Sequence, residues 1–316
     1  MQLGVGVEVP LSDEDVRTRW LGLVPLGANP KTGLYEFYHL RSAWDGDEDP
    51  ADIAIPAHRA DGSIEVGPKT GIVFVLLPGG DIGLPAGSKA YGKKDEQARD
   101  VELQPFLIAR HEMTKAQWTR LWCGAPELRR PSRYAVGAPA GLGRRVEATN
   151  PVDQVSWHMC GEQLSAHGLA LPTEAQWEYA CRAGTTTPWA VAKSALVRFA
   201  NLGDAAVKRA GAPYEVEPWD DGFVIHAPVG SFAANGFGLY DTVGNVWEWC
   251  RDEMGAYGSE RAGDGLRPST GADNRIVRGG SYSVTAVRAR SAIRGGNAPE
   301  VRVGGLGCRA ARLLAR

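Results

Sequence analysis

The apolar and polar positions of this chain change rhythm several times, and each rhythm predicts a different element. The plainest is IVFVLLPGG at 72–80, a continuous apolar run that predicts a buried strand. The Gly/Pro hinge GPKTG precedes it, so residues 69–316 read as the main domain and residues 1–68 as an N-terminal extension. That extension carries two short apolar pieces, WLGLVPLG and LYEFYHL, ahead of the acidic loop WDGDEDPAD. Further on, TKAQWTRLW predicts a helix capped by Thr114, and a Gly/Pro/Arg-rich loop runs from Gly124 to Asn150. NPVDQVSWHMCGEQLSAHG predicts a turn and then a helix capped by Ser156. In LPTEAQWEYACRAG, Thr173 and Gln176 stand at capping-box spacing. Trp177 and Ala180 or Cys181 follow at helical spacing, and Gly184 is placed to close the helix.

Composition adds loops to this picture. The 316 residues include 40 Gly, 20 Pro and 10 Trp, which predicts turns and irregular segments pinned by aromatic anchors, with little regular structure. Trp157, Trp177, Trp247 and Trp249 read as such anchors. A net charge of −2 creates no global field for nucleic acid or anionic lipid. From Arg275 to Arg316 there are nine Arg, no Lys and one acid, Glu300. Preferring Arg to Lys suits planar internal pairing, and no aromatic stacking platform for bases accompanies these residues. The N-terminus lacks a basic start followed by an apolar core, and no run of ~18 apolar residues occurs, so the expectation is a soluble, cytoplasmic protein without membrane contact. Five cysteines without CxxC spacing (Cys123, Cys160, Cys181, Cys250 and Cys308) favour neither zinc nor a disulfide framework. GAPAGLGRR lacks the GxxxxGK[ST] pattern of a phosphate-cradling loop.

Five stretches, NPVDQVSW, LPTEAQWEYACRAG, GFGLYDTVGNVWEWC, RIVRGGSY and GLGCRAAR, together resemble the sulfatase-modifying-factor family, whose founding members are the formylglycine-generating enzymes. The resemblance runs from about Thr70 to the C-terminus. It implies a single α+β domain of the C-type-lectin-like formylglycine-generating-enzyme fold, rich in loops. It also implies an oxidase whose copper is held by two cysteines, the first two residues after the GGSY-like motif and the second five further on. Here those positions are Val284 and Ala289, and no cysteine lies between Cys250 and Cys308. Copper needs soft, ionisable sulfur, so copper is not expected. Cys308 reads as a small buried apolar residue. The iron-dependent sulfoxide synthases on the same scaffold carry a histidine cluster. His39, His58, His111, His158, His167 and His226 show no such spacing and read as surface or satisfied packing residues.

The resemblance further implies two structural calcium loops. The first would use the side chains of Asn201 and Asp221 with the carbonyls of Leu202 and Phe223. The second would use the side chains of Asp241 and Glu248 with the carbonyls of Gly244 and Val246. Mixed carboxylate, amide and carbonyl oxygens suit a hard cation that takes about 6–8 ligands. Turn capping by Asp221, Asp241 and Glu248 is the alternative.

In this fold the segment from Arg278 to Arg309 is implied to form the exposed ligand face. Its candidate contact residues are Tyr282, Ser283, Val284, Thr285, Ala286, Val287, Ala289, Ile293, Asn297, Val301 and Val303, with Arg288, Arg290, Arg294 and Arg302 as framework. Small, apolar and weakly polar side chains tile a recognition surface but supply no acid, base and nucleophile. The alternation resembles the variable proteins of diversity-generating retroelements, and equally bacterial paralogues that accompany signalling kinases. The leading expectation is a non-catalytic binder of a protein or peptide ligand, stapled by calcium. A formylglycine-generating-type oxidoreductase acting on a cysteine of a sulfatase-like protein is the alternative, and a purely structural module is the third.

Overall fold

The run that opens the main domain is a strand, as its pattern predicts, but two strands precede it. The computed structural model describes residues 22–87, 97–122, 124, 129 and 131–314. Residues 1–21 of the expected extension and Cys123 lie outside the described residues. Strand β1 (Leu23–Ala28) pairs antiparallel with β2 (Tyr35–His39), and β2 pairs antiparallel with β3 (Ile72–Leu77). Residues 23–39 of the N-terminal extension therefore add two strands to the sheet of the main domain. Glu36, fully buried on β2, reinforces the join by accepting from Asn29 Nδ2 at 2.8 Å, from Arg110 at 3.0 Å and sharing a 2.9 Å contact with His58.

After the hairpin of β4 (Gly80–Leu84) and β5 (Arg99–Leu103), β6 (Phe106–Ala109) returns to the main sheet beside β3. A last strand, β13 (Ala311–Leu313), completes the order β1-β2-β3-β6-β13, antiparallel throughout. Period-2 geometry explains why the apolar run is unbroken. Ile72 and Phe74 face the largest core, while Val75 and Leu77 face a second apolar cluster on the opposite side. The first face is covered by α1 (Lys115–Leu121) through Trp118 and Leu121, and by α2 (Trp157–Ser165) through Met159, Cys160 and Leu164. The second is covered by α3 (Glu174–Arg182) through Ala175, Tyr179 and Ala180.

Caps follow the sequence closely. Thr114 and Thr173 each form a complete capping box with Gln117 and Gln176, and Ser156 Oγ accepts from the Met159 amide. Gly184 is not the residue that closes α3. Ala183 takes the left-handed C-cap at φ 47°, with Gly184 following at φ 83°. A short α4 (Ala205–Arg209) and the ribbon of β7 (Pro139–Gly141) with β8 (Arg144–Arg145) lie in the loop-rich part. There a second sheet forms from β9 (Trp247–Glu253), β10 (Arg275–Arg278), β11 (Gly295–Asn297) and β12 (Leu306–Gly307), in the order β11-β10-β9-β12. The result is the loop-rich α+β architecture expected. Among the described residues no helix is long and apolar enough to cross a membrane.

Candidate functional site: the C-terminal loop face

The segment after β10 is held from beneath by arginines. Glu174 and Glu178, one turn apart on α3, are both buried under it. Glu174 accepts from Arg294 Nε at 2.7 Å and Nη2 at 2.9 Å, and pairs with Arg267 at 2.6 Å and Arg278 at 3.4 Å. Glu178 accepts from Arg182 and Arg99, both at 2.9 Å, and from Arg278. Burial alone would raise both carboxyls, but the surrounding guanidiniums outweigh it and hold Glu174 down at about 2. Arg294 therefore braces the loop as expected. Arg288 does not belong to this framework, since it is exposed, and Arg302 is exposed with its Nε on the Gln154 carbonyl at 3.0 Å.

Burial divides the expected contact residues. Ser283 and Val303 are exposed, and Val284, Thr285, Val287, Asn297 and Val301 are half-buried. Tyr282, Ala286, Ala289 and Ile293 are buried at 8%, 0%, 1% and 5% exposure, and so cannot be contact residues. Each fills the interior instead. Tyr282 packs with Val146 and Ile225, while Ala286 and Ala289 join a cluster with Trp189 and Leu202.

The two positions matched to a cysteine pair meet in space. A Cβ placed on Gly280 would lie 2.6 Å from Ala289 Cβ and 3.2 Å from Val284 Cγ2, so both side chains crowd the same spot. They close it with methyl groups. The described cysteines, Cys160, Cys181, Cys250 and Cys308, are buried and unpaired, and Cys160 and Cys308 share the largest core. Burial pushes the Cys160 and Cys250 thiols well up, away from the thiolate that metal binding or nucleophilic attack requires.

The two candidate calcium loops also meet. Asn201 and Gly244 form an isolated parallel bridge, and Asn245 donates its amide to the Asn201 carbonyl at 2.8 Å. Among the described residues no three His, Cys, Asp or Glu side chains converge on one point, so a cation here would depend on carbonyl and amide oxygens. The first loop fits in part. Asn201 Oδ1 is buried without a partner, but the half-buried Asp221 carboxylate caps its own turn, accepting from the Leu202 amide at 3.0 Å and the Phe223 amide at 2.9 Å, and makes no ion pair among the described residues. Burial, with the neighbouring Asp204 carboxylate second, pushes Asp221 up to about 7. The second loop fits in part. Asp241 Oδ1 is buried without a partner, but Glu248 is committed elsewhere. Its oxygens accept from Arg309 Nη2 at 2.7 Å, from Arg309 Nε at 2.9 Å and from Trp177 Nε1 at 2.7 Å. Sequence reasoning missed the residues that orient both loops. Asn245 accepts on Oδ1 from Ala227 N and Asn201 Nδ2 and donates to Glu112, whose other oxygen takes the Val246 amide. Only the Asn after Gly in GNVWEW hinted at it, since Asn tolerates the left-handed backbone that Asn245 adopts at φ 58°. His39 and His226 depart in part from the satisfied-packing expectation: His39 Nδ1 and His226 Nε2 are buried without a hydrogen-bond partner, the latter 3.9 Å from the Asp153 carboxylate.

Residues 69–314 match the family described as sulfatase-modifying factor enzyme 1-like domain. The chain belongs to this family. Within it, the formylglycine-generating enzyme of Streptomyces coelicolor is 30% identical over 81% of this chain and 94% of its own length. That of Mus musculus is 37% identical over 57% of this chain, which spans only 48%, about half, of the mouse protein. The mouse protein named inactive C-alpha-formylglycine-generating enzyme 2 is 32% identical over 58% of this chain and 55% of its own length. Among solved structures, Treponema denticola variable protein 1 superposes with a TM-score of 0.60 at 22% identity, covering 77% of this chain and 96% of that one. PvdO from Pseudomonas aeruginosa gives 0.60 at 23%, covering 77% and 95%. These likenesses establish a shared fold. Relatives named as enzymes and as inactive lie at comparable identity, so the chemistry of a member of this family must be read from its own residues.

Proposed function

We propose that this member of the sulfatase-modifying-factor family is a non-catalytic domain that binds a protein or peptide through its C-terminal loop face. The observation that carries this reading is the meeting of Val284 and Ala289 beside Gly280. A methyl-lined spot offers copper no ligand and a substrate thiol no redox partner. Around it, Ser283, Thr285, Val287 and Val303 offer small side chains on a base braced by Arg278 and Arg294, a rigid platform of the kind that recognition surfaces use. The test is to offer purified protein copper(I) and a cysteine-containing sulfatase-type peptide, with the Val284→Cys/Ala289→Cys double variant alongside. The native chain is expected to bind no stoichiometric copper and to leave the peptide thiol intact, while the double variant gains copper binding. Copper on the native chain, with turnover of the peptide, would establish the oxidase instead.

The same reading includes structural calcium. Asn201 Oδ1, the Asp221 carboxylate and the carbonyls of Leu202 and Phe223 would hold one ion, and Asp241 with the carbonyls of Gly244 and Val246 would contribute to a second. The ion would relieve the unpartnered oxygens and staple loops that carry little secondary structure. Calcium at about 100 times its Kd adds ~2.7 kcal/mol, so chelation should lower the melting temperature by roughly 4–5 °C for a domain of this size. Asn201→Ala and Asp221→Ala should each shrink that difference. A melting temperature indifferent to chelator in the native chain would remove calcium from the first loop.

A further inference from the structure

We infer that the partner of the C-terminal loop face is an acidic peptide segment, whose carboxylates pair with Arg133, Arg288 and Arg302 and whose apolar side chain rests on Val303. This rests on the binding reading of that face and names the chemistry the face selects. Burial divides the arginine excess between Arg275 and Arg316. Arg278, Arg290, Arg294 and Arg309 are buried, and Arg275 pairs with Glu253 at 3.4 Å. Arg288 and Arg302 instead stand exposed on the segment. A third guanidinium comes from outside it. Exposed Arg133 packs against Gly304, its Cδ 3.0 Å from where a Cβ would stand. Arg133 and Arg302 therefore share one stretch of surface with Val303, which is 48% exposed.

None of the three has a counter-charge of its own. Among the described residues no carboxylate lies within 4.0 Å of Arg133, Arg288 or Arg302, whereas Arg59, Arg209 and Arg261 elsewhere on the surface pair with Glu65, Asp220 and Asp264. Arg302 donates Nε to the Gln154 carbonyl at 3.0 Å, and Arg133 lies 5.5 Å from the centre of the Tyr134 ring. Neither contact neutralises the charge. The nearby acids are committed elsewhere. Glu300, the one acid between Arg278 and Arg309, lies against His158 at 3.4 Å, and Asp153 behind Gly304 is buried on Lys115 at 3.0 Å. Open guanidinium forks match carboxylates in geometry as well as charge. The residues between them favour a peptide over a nucleic acid, because the 283–303 segment offers Ser283, Val287 and Val303 and contains no aromatic side chain on which bases could stack.

The experiment pans a displayed library of random dodecapeptides against the full chain. Enriched peptides are then synthesised beside counterparts in which Asn and Gln replace Asp and Glu. Enrichment of Asp and Glu is expected, with the amide counterparts at least about tenfold weaker by fluorescence anisotropy and the acidic peptides weakening several-fold as salt rises. Arg133→Glu and Arg302→Glu should each weaken the acidic peptides about fivefold or more, while Arg59→Glu, which changes the net charge equally, should leave them unchanged. Equal affinity for the amide counterparts would overturn the proposal. So would neutral or basic peptides whose binding is blocked by Ser283→Trp, an outcome that keeps the binding face and removes only its acidic partner. Failure to enrich any peptide that depends on the face would remove both readings. A twenty-residue oligothymidylate that binds as tightly as the acidic peptides and competes with them would assign the arginines to nucleic acid and overturn the proposal as well.

Discussion

Glu174→Ala is expected to destabilise the domain by about 3–5 kcal/mol, because it leaves buried guanidiniums facing one another without their shared counter-charge. The carboxylate is fully buried and bridges Arg294, Arg267 and Arg278. Arg294 and Arg278 flank the segment that forms the ligand face, so the loss should show first there. The melting temperature should fall by roughly 5–8 °C, and limited proteolysis should open the 283–289 region ahead of the rest. Arg302→Ala, which removes an exposed guanidinium, should stay within about 0.5 kcal/mol of the native chain. Glu174 also sets a pH window. Its folded value of about 2 lies below the ordinary 4.5, so the contribution is complete above pH 4.5 and is lost as pH falls toward 2. A loss below about 1 kcal/mol in the Ala variant would mean that solvent reaches the arginines and that the loop face lacks the rigid base argued above.

Gly244→Ala is the second large effect, at about 3 kcal/mol or more. The backbone there has φ +81°, where an L side chain is strained, and the new Cβ would lie 2.0 Å from the Asn201 carbonyl oxygen. Relief would require breaking the bridge between the Asn201 and Gly244 loops and the Asn245 to Asn201 hydrogen bond. Gly211→Ala isolates the backbone part of this cost. Gly211 has φ +92° but nothing within 4 Å of its Cβ position, so about 1 kcal/mol is expected. Chelator sensitivity should fall in Gly244→Ala and persist in Gly211→Ala. Equal melting temperatures for the two variants would show that the loop junction yields without cost.

Much of this protein was legible locally. The caps at Thr114, Ser156 and Thr173 could be read from the sequence because a cap is satisfied within about one turn of its own helix. The buried strand at 72–77 was visible because a strand covered on both faces has no polar alternation. The family was visible in its recurring stretches, and the lack of a cysteine pair in the letters Val284 and Ala289. Other features required distant segments to meet. Only pairing with β3 shows that residues 23–39 belong to the main sheet, since a Gly/Pro hinge marks a turn in the chain and says nothing of what returns across it. Only packing removes Tyr282, Ala289 and Ile293 from the ligand face, and only the approach of Arg309 commits Glu248 to an ion pair. Hydrophobic rhythm and capping are set by neighbours a few residues away, and the sequence by itself determined them. Burial, charge pairing and the spot shared by Val284, Ala289 and Gly280 depend on contacts between residues far apart in the chain, and the tertiary structure alone decided them.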